Sequence, residues 1–227
     1  MRPALLGLVV ALVAAAPAAA AKVDVMVVGK AGVLHQGRVA PRDVHVIAGG
    51  RRCRVAATTP LALLVRTGLT VRVRDYGSCS SSERDAAGLF VTRVGPDRNR
   101  GRDGWVYKAG RKVSSRGAGD AGSRAGARLV WFWCVTGPKG CQRTLVATPA
   151  ASQAAPGSAL RVTVRGYDDA GKGIAVEGAT VTLAGATATT GADGVATLAV
   201  PDAPGRRRLT ASRDGMVRSF SEAVTIG

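Results

Sequence analysis

The sequence has few histidines and no recognisable catalytic motif. His35 and His45 are the only two histidines of the 227-residue chain, and no Gly-x-Ser-x-Gly elbow accompanies them. His45 alternates with valines, which favours a strand residue facing solvent over a general base. The run Ser80-Ser81-Ser82-Glu83 is more typical of a helix start or a turn than of nucleophiles. We therefore predict that the protein is not an enzyme and uses no cofactor.

Metal-ligand spacings are also missing. Asp168 and Asp169 could form a calcium-ligand pair, but the segment lacks the spaced acidic residues and closing glutamate of a calcium loop. A turn is the favoured interpretation. The glycines do not form a phosphate-binding motif between a strand and a helix. We predict no metal site.

Aromatic residues make up only 4% of the chain, and all three tryptophans lie between residues 101 and 141. Two paired strands are predicted there, around Trp105 and from 129 to 135, with Trp131 and Trp133 on one face and Phe132 on the other. The aromatic cluster could be core. The alternative is a partly exposed surface that stacks a flat or sugar-like anionic ligand. The candidate ligand-binding residues are Trp105, Tyr107, Trp131 and Trp133, rimmed by Arg102, Lys108, Arg111 and Arg128.

The cysteines are few but even in number, and none shows a C-x-x-C spacing. In an oxidising compartment this favours disulfides over metal binding. Three pairings are open for Cys53, Cys79, Cys134 and Cys141. A Gly/Pro turn between Cys134 and Cys141 would bring those two together, which would leave Cys53 with Cys79. The alternative is that some thiols stay free and buried.

The chain begins with the pattern of a secretory signal. Met1-Arg2-Pro3 precedes an apolar run over 4–16 and four alanines at 18–21, too short a run to span a bilayer as a mature helix. We predict a signal peptide over 1–21, cleaved near Ala20 or Ala21, although an uncleaved anchor is the alternative. No second apolar run of membrane length follows. The mature protein is expected to be secreted, either free or associated with the cell surface.

The net charge of +17 is unevenly placed. Residues 22–150 carry 23 Lys and Arg against 8 Asp and Glu, whereas residues 151–227 carry 8 against 7. A basic surface attracts polyanions through a salt-sensitive interaction that is blind to sequence. We consider an anionic cell-wall polymer as a partner and expect no specific nucleic acid. The alternative is that the arginines reflect an Ala/Gly/Arg-rich composition alone.

The order of elements predicts two domains. Alternating strands dominate 22–147, with one helix signalled by Thr59-Pro60 and stopped at Gly68. Residues 148–158 lack charge and large apolar side chains, which predicts a linker. Short strands separated by turns over 159–227 predict a small all-β sandwich.

Two motifs of the first domain resemble the transcobalamin-like C-terminal domains of secreted bacterial proteins. They are Gly104-Trp105-x-Tyr107 with Gly110, and Gly126-x-x-Leu129-x-Trp131-x-Trp133. Ala109 and Ala127 stand where that family usually has polar residues. The resemblance implies an α+β first domain, a β-grasp-like mixed sheet with one helix. Animal cobalamin carriers close such a domain over a corrinoid held by a helical barrel; this chain has no barrel, so a corrinoid is not expected.

The second domain resembles carboxypeptidase-regulatory-like and bacterial immunoglobulin-like modules. The matching residues are Val176–Leu183 and Thr190–Leu198. The resemblance implies an Ig-like or transthyretin-like sandwich that acts as a spacer or adhesive domain.

Two functional hypotheses follow. In the first, the protein is a secreted, non-catalytic module that binds a small ligand or an anionic cell-surface polymer. In the second, it is a structural or adhesive surface protein with no specific small ligand. The oligomeric state is left open.

Overall fold

The computed structural model describes residues 21–79, 83–122 and 127–227. The predicted signal peptide lies outside the described residues except for Ala21, as do Ser80, Ser81 and Ser82. The protein is nearly all β, with 53% strand and 5% helix. No helix in the described ranges is both long and apolar enough to cross a membrane.

The elements up to Cys134 form what we call the N-terminal unit. In chain order they are β1 Val23–Gly29, β2 Gly32–Val39, β3 Val44–Ala48, β4 Arg51–Val55, α1 Pro60–Val65, β5 Val71–Asp75, a 3₁₀ helix Glu83–Gly88, β6 Leu89–Val94, β7 Asp97–Arg98, β8 Gly104–Ala109, β9 Lys112–Val113 and β10 Arg128–Cys134.

A five-stranded sheet in the order β2-β1-β10-β8-β9 is the centre of this unit. Strand β1 pairs in parallel with β10, and β10 pairs antiparallel with β8. Both β1 and β10 are apolar at almost every position and are buried on both faces, as central strands must be. The hairpin β3–β4 and the small sheet β5–β6–β7 close the core on one side.

Helix α1 is present where the sequence predicts it, but it is short. The Thr59 hydroxyl accepts a hydrogen bond from the Ala62 amide at 3.2 Å, and Gly68 adopts a φ of +83° just beyond the helix. The prediction of an α+β, β-grasp-like first domain is wrong, because helix accounts for only 5% of the chain. Six residues make fewer than about two turns. They pack against the central sheet, where the Trp131 indole contacts Pro60, but they are too few to form a helical layer.

The elements from Thr144 onward form the sandwich. In chain order they are β11 Thr144–Pro149, β12 Gln153–Ala154, β13 Ala159–Tyr167, β14 Gly173–Ala175, β15 Thr180–Leu183, β16 Ala186–Thr189, β17 Val195–Ala199, β18 Gly205–Ser212 and β19 Glu222–Ile226.

Two sheets make up the sandwich, which confirms the predicted all-β second half. One has the order β11-β13-β14, with β17 also paired to β13, and the other has the order β12-β19-β18-β15-β16. Leu160, Val162 and Val164 point inward from β13, and the residues between them are exposed. This alternation is what a strand with one buried face requires.

The stretch predicted as a linker, 148–158, takes part in the sandwich. Thr148 and Pro149 pair with β13 as the end of β11, and Gln153 and Ala154 pair with β19 as β12. Small residues without charge are compatible with short edge strands, which the composition of this stretch does not distinguish from a linker.

Candidate functional site

The four aromatic residues proposed to hold a ligand are core residues of the N-terminal unit. Trp131 is 1% exposed, Trp105 4%, Trp133 5% and Tyr107 7%. Trp105 meets Trp133 edge to face at 6.0 Å, and Tyr107 lies 5.1 Å from Trp131. Phe132 points to the opposite face of the sheet, as the alternation predicts. All four residues are thus at least 93% buried, and Trp105, Tyr107 and Trp131 also border a cavity of about 400 Å³ that Tyr76 and Phe90 line.

The polar atoms of these rings bind backbone carbonyls. The Trp131 indole N–H donates to Pro60 O at 3.2 Å, and the Trp105 indole N–H donates to Asp97 O at 2.9 Å. The Tyr107 hydroxyl donates to Arg116 O at 2.7 Å, and burial raises the pKa of this hydroxyl. These hydrogen bonds use the ring donors to hold loops and helix α1 against the sheet.

One edge of the cluster borders a cleft of about 940 Å³ between the N-terminal unit and the sandwich. Lys30 Nζ lies 4.1 Å from the Trp133 ring centroid at this edge. The cleft is also bounded by the loop 135–141 and by Met216, and Val135 is 57% exposed beside it.

The four predicted rim residues do not surround the aromatic cluster. Arg102 is exposed on a loop, and the Arg111 guanidinium lies over the Tyr167 ring of the sandwich at 4.8 Å. Lys108 and Arg128 project from the face of the sheet that carries Phe132. The ligand-binding role of these residues stays a prediction.

Lys108 is completely buried between the two halves of the protein. Its Nζ donates to Tyr167 O at 2.9 Å and to Asp168 O at 3.0 Å, and it lies 3.6 Å from Asp169 Oδ1. It also lies 3.4 Å from Thr144 Oγ1. A buried ammonium needs such partners, since it has lost its hydration.

Two opposing effects act on the pKa of Lys108. Desolvation lowers the pKa of this lysine, and the negative charge of Asp169 opposes the shift. The other carboxylate oxygen of Asp169 accepts a hydrogen bond from the Cys141 amide at 2.9 Å. Asp168 accepts from the Lys172 amide at 2.8 Å, so the two aspartates form the turn that the sequence favours.

Arg128 makes a second polar contact across the same boundary. Its guanidinium is bidentate on Glu222 of β19, with Nη2 to Oε2 at 2.7 Å. This hydrogen bonding to Glu222 raises the pKa of Arg128. The guanidinium also lies 5.3 Å from the Phe220 ring centroid. Arg128 is thus held by a carboxylate and a ring of the sandwich.

An apolar cluster joins the halves between these two polar contacts. Met26, Val130 and Phe132 of the N-terminal unit contact Val217 of the sandwich, and Phe220 packs against them. We call this cluster, with the Lys108 and Arg128 contacts, the junction. Sequence reasoning missed its sandwich residues, although the apolar character of both faces of β10 signals that a second layer covers Phe132.

Both disulfides have the pairing that the sequence favours, one from the Gly/Pro turn and the other by exclusion. Cys134 is bonded to Cys141 and Cys53 to Cys79, so the alternative of free thiols is wrong. The Cys134–Cys141 bridge closes the loop beside the junction, and Cys134 belongs to the apolar cluster there. Within the described ranges no group of three or more His, Cys, Asp or Glu residues could hold a metal ion.

No protein-family model matches the sequence, and no curated protein matches it. Solved structures with similarity include the D0-D1 domain of Intimin, at 14% identity over 69% of this chain and 79% of that one, with a TM-score of 0.28. The D00-D0 domain of Intimin is 16% identical over 72% of this chain and 80% of that one, with a TM-score of 0.29. FdeC, an adhesin of Escherichia coli, is 16% identical over 95% of this chain and 66% of that one, with a TM-score of 0.32. The sandwich assignment rests on the strand pairing given above.

Proposed function

We propose that the protein is a non-catalytic structural or adhesive module of the cell surface, in which two β units are joined rigidly. The observation that carries this proposal is the junction. Lys108 is wholly buried, and every hydrogen bond of its ammonium crosses to the sandwich. A module that only tethers two independent domains does not require such a contact.

The burial of the tryptophans supports the same function. A stacking surface for a flat ligand needs an accessible ring face, and these rings are at least 93% buried. The signal-like residues at 1–21 are consistent with export, and cell-surface association is part of the proposal.

A second candidate function, small-ligand binding, is favoured by one feature. The cleft beside Trp133 places a cation, Lys30, at the edge of an apolar wall. A ligand there would change tryptophan emission, and Lys30→Ala would weaken its binding. A flat anionic ligand such as a nucleotide is a suitable first probe.

Unfolding of the full chain tests the main proposal. All three tryptophans lie in the N-terminal unit, so their emission reports that unit, while far-ultraviolet circular dichroism reports both. For the wild type we expect the urea transition seen by tryptophan emission to coincide with the one seen by circular dichroism. Phe220→Asp should separate them by loosening the junction, whereas Ile174→Asp, at a side chain that is 42% exposed, should not. Two separate transitions in the wild type would overturn the proposal.

A further inference from the structure

A second surface of the N-terminal unit is unusually rich in exposed arginine. The outward face of the sheet β5–β6–β7 presents Arg72, Arg74, Arg93 and Arg98, and all four are exposed. Asp75 at the end of β5 accepts hydrogen bonds from the Gly77 and Cys79 amides instead of facing these arginines. We call these four residues, together with Tyr76 and Phe90, the arginine face.

Three of the arginines form a row across the strands. Arg72 is directly opposite Arg93, and Arg93 is directly opposite Arg98. Neighbouring strands are about 4.8 Å apart, and like charges directly opposite one another are destabilising. Among the described residues none of the three has a carboxylate within ion-pair distance. The described part of the protein therefore carries a row of positive charge that no carboxylate in that part neutralises.

The same face carries the exposed aromatic rings of the protein. Tyr76 is 68% exposed and Phe90 is 47% exposed, whereas the other seven of the nine Phe, Trp and Tyr residues are buried or half-buried. The two rings meet edge to face at 6.0 Å. The Arg74 guanidinium lies 5.0 Å from the Tyr76 ring centroid. Exposed aromatics grouped together mark interaction sites more often than isolated ones do.

We propose that the arginine face binds an acidic polysaccharide. Guanidinium groups bind carboxylates in a bidentate manner, and a row of them matches a polymer with repeated negative charges. The exposed part of the Phe90 ring can pack on the C–H face of a sugar ring beside that row. This inference rests on the proposed function, because it names the surface through which the module would adhere.

The geometry favours a polysaccharide over the other polyanions. Single-stranded nucleic acid is held by ring faces that are free to stack bases, but here the rings are edge to face and Arg74 covers Tyr76. Binding at a membrane surface typically uses an amphipathic helix with a continuous apolar side, whereas this face is a β-sheet.

Isothermal titration calorimetry of the full chain with polygalacturonate tests the inference. The titration is carried out at low and at high salt. We expect binding that weakens with salt, since exposed charges are screened. The double variant Arg93→Gln/Arg98→Gln should weaken it by about tenfold or more. The matched control Arg206→Gln/Arg208→Gln removes two exposed charges from β18 of the sandwich and should change it by less than about twofold.

Phe90→Ser tests the contribution of the aromatic ring to binding separately from that of charge. It should weaken polygalacturonate binding at unchanged net charge, and neutral dextran should not bind the wild type. Equal losses in the two arginine double variants would overturn the inference, as would tighter binding of single-stranded DNA or of phosphatidylglycerol vesicles. Failure of binding while the urea transitions coincide would remove this inference alone. Separate transitions would instead remove the proposed function.

Discussion

The ammonium nitrogen of Lys108 lies 2.9 Å from the carbonyl oxygen of Tyr167, so a lysine of the N-terminal unit reaches into the sandwich. We expect Lys108→Met to lower the free energy of unfolding by about 1 to 3 kcal/mol, because buried carbonyls lose their donor. Urea denaturation measures the change. Lys112→Met, at an exposed position on β9, is the control and should have little effect. An unchanged stability in Lys108→Met would show that the junction does not depend on this contact.

The lowered pKa of Lys108 makes a prediction about pH. Between the lowered value in the folded state and the ordinary value of 10.5, the unfolded chain binds more protons, so stability from this position rises with pH. The stability of the wild type relative to Lys108→Met should therefore increase as the pH approaches 10.5. Urea titrations of both proteins from neutral to alkaline pH measure this. A relative stability that decreases over that range would contradict the assignment.

The bidentate pair of Arg128 and Glu222 should show measurable coupling. The Arg128 side chain is 41% exposed and that of Glu222 is 18% exposed, so solvent screens part of the attraction. A double-mutant cycle with Arg128→Gln and Glu222→Gln should give a coupling free energy of about 1 kcal/mol. The exposed pair Arg116–Asp120 is the comparison and should give less. Additive single changes at Arg128 and Glu222 would mean that the pair contributes nothing to the junction.

Replacing Trp131 should affect stability without a specific effect on binding. Trp131→Ala should lower the free energy of unfolding by about 3 to 5 kcal/mol, because it opens a cavity in the core. Trp131→Phe keeps most of the volume but removes the N–H donor to Pro60, so its cost should be about 1 to 3 kcal/mol. Emission of the wild type should be blue-shifted and insensitive to iodide. Red-shifted, quenchable emission would place the rings at the surface.

Arg93→Thr should stabilise the protein while weakening its binding of polygalacturonate. The change removes the repulsion from Arg72 and Arg98, and we expect a gain of about 0.2 to 1 kcal/mol. Thermal or urea unfolding measures it. Arg161→Thr is the matched control, since Arg161 is an exposed strand residue that lies opposite Thr197 and not opposite another charge. A loss of stability in Arg93→Thr would mean that the repulsion is weaker than the hydrogen bond that the Arg93 guanidinium donates to Gly95 O at 2.7 Å.

Local patterns in the sequence predict the local structure correctly. The Thr59 cap, the opposite directions of Trp131 and Phe132, and the Cys134–Cys141 bridge follow from short-range rules of geometry. The α+β assignment fails because the apolar run after Pro60 makes a helix of only six residues. Propensity indicates where a helix begins more reliably than it indicates how much of a fold is helical.

The junction could not be predicted in the same way. Lys108 and Arg128 have the sequence signature of solvated charges, and their partners Asp169 and Glu222 lie in a different half of the chain. Only the packing of the two halves brings these residues together. The sequence does show that β10 is apolar on both faces, but it does not show which residues cover Phe132.

The parallel pairing of β1 with β10 has a consequence for the order in which the protein can fold. Strand β1 is synthesised long before Leu129 and Trp131, the β10 residues that pair with Val25 and Val27. Until then β1 pairs with β2 on one side and has an open edge on the other, where other chains can add. Contacts so distant in sequence also slow folding. The nascent chain is therefore at greatest risk of aggregation before residue 128 has been made.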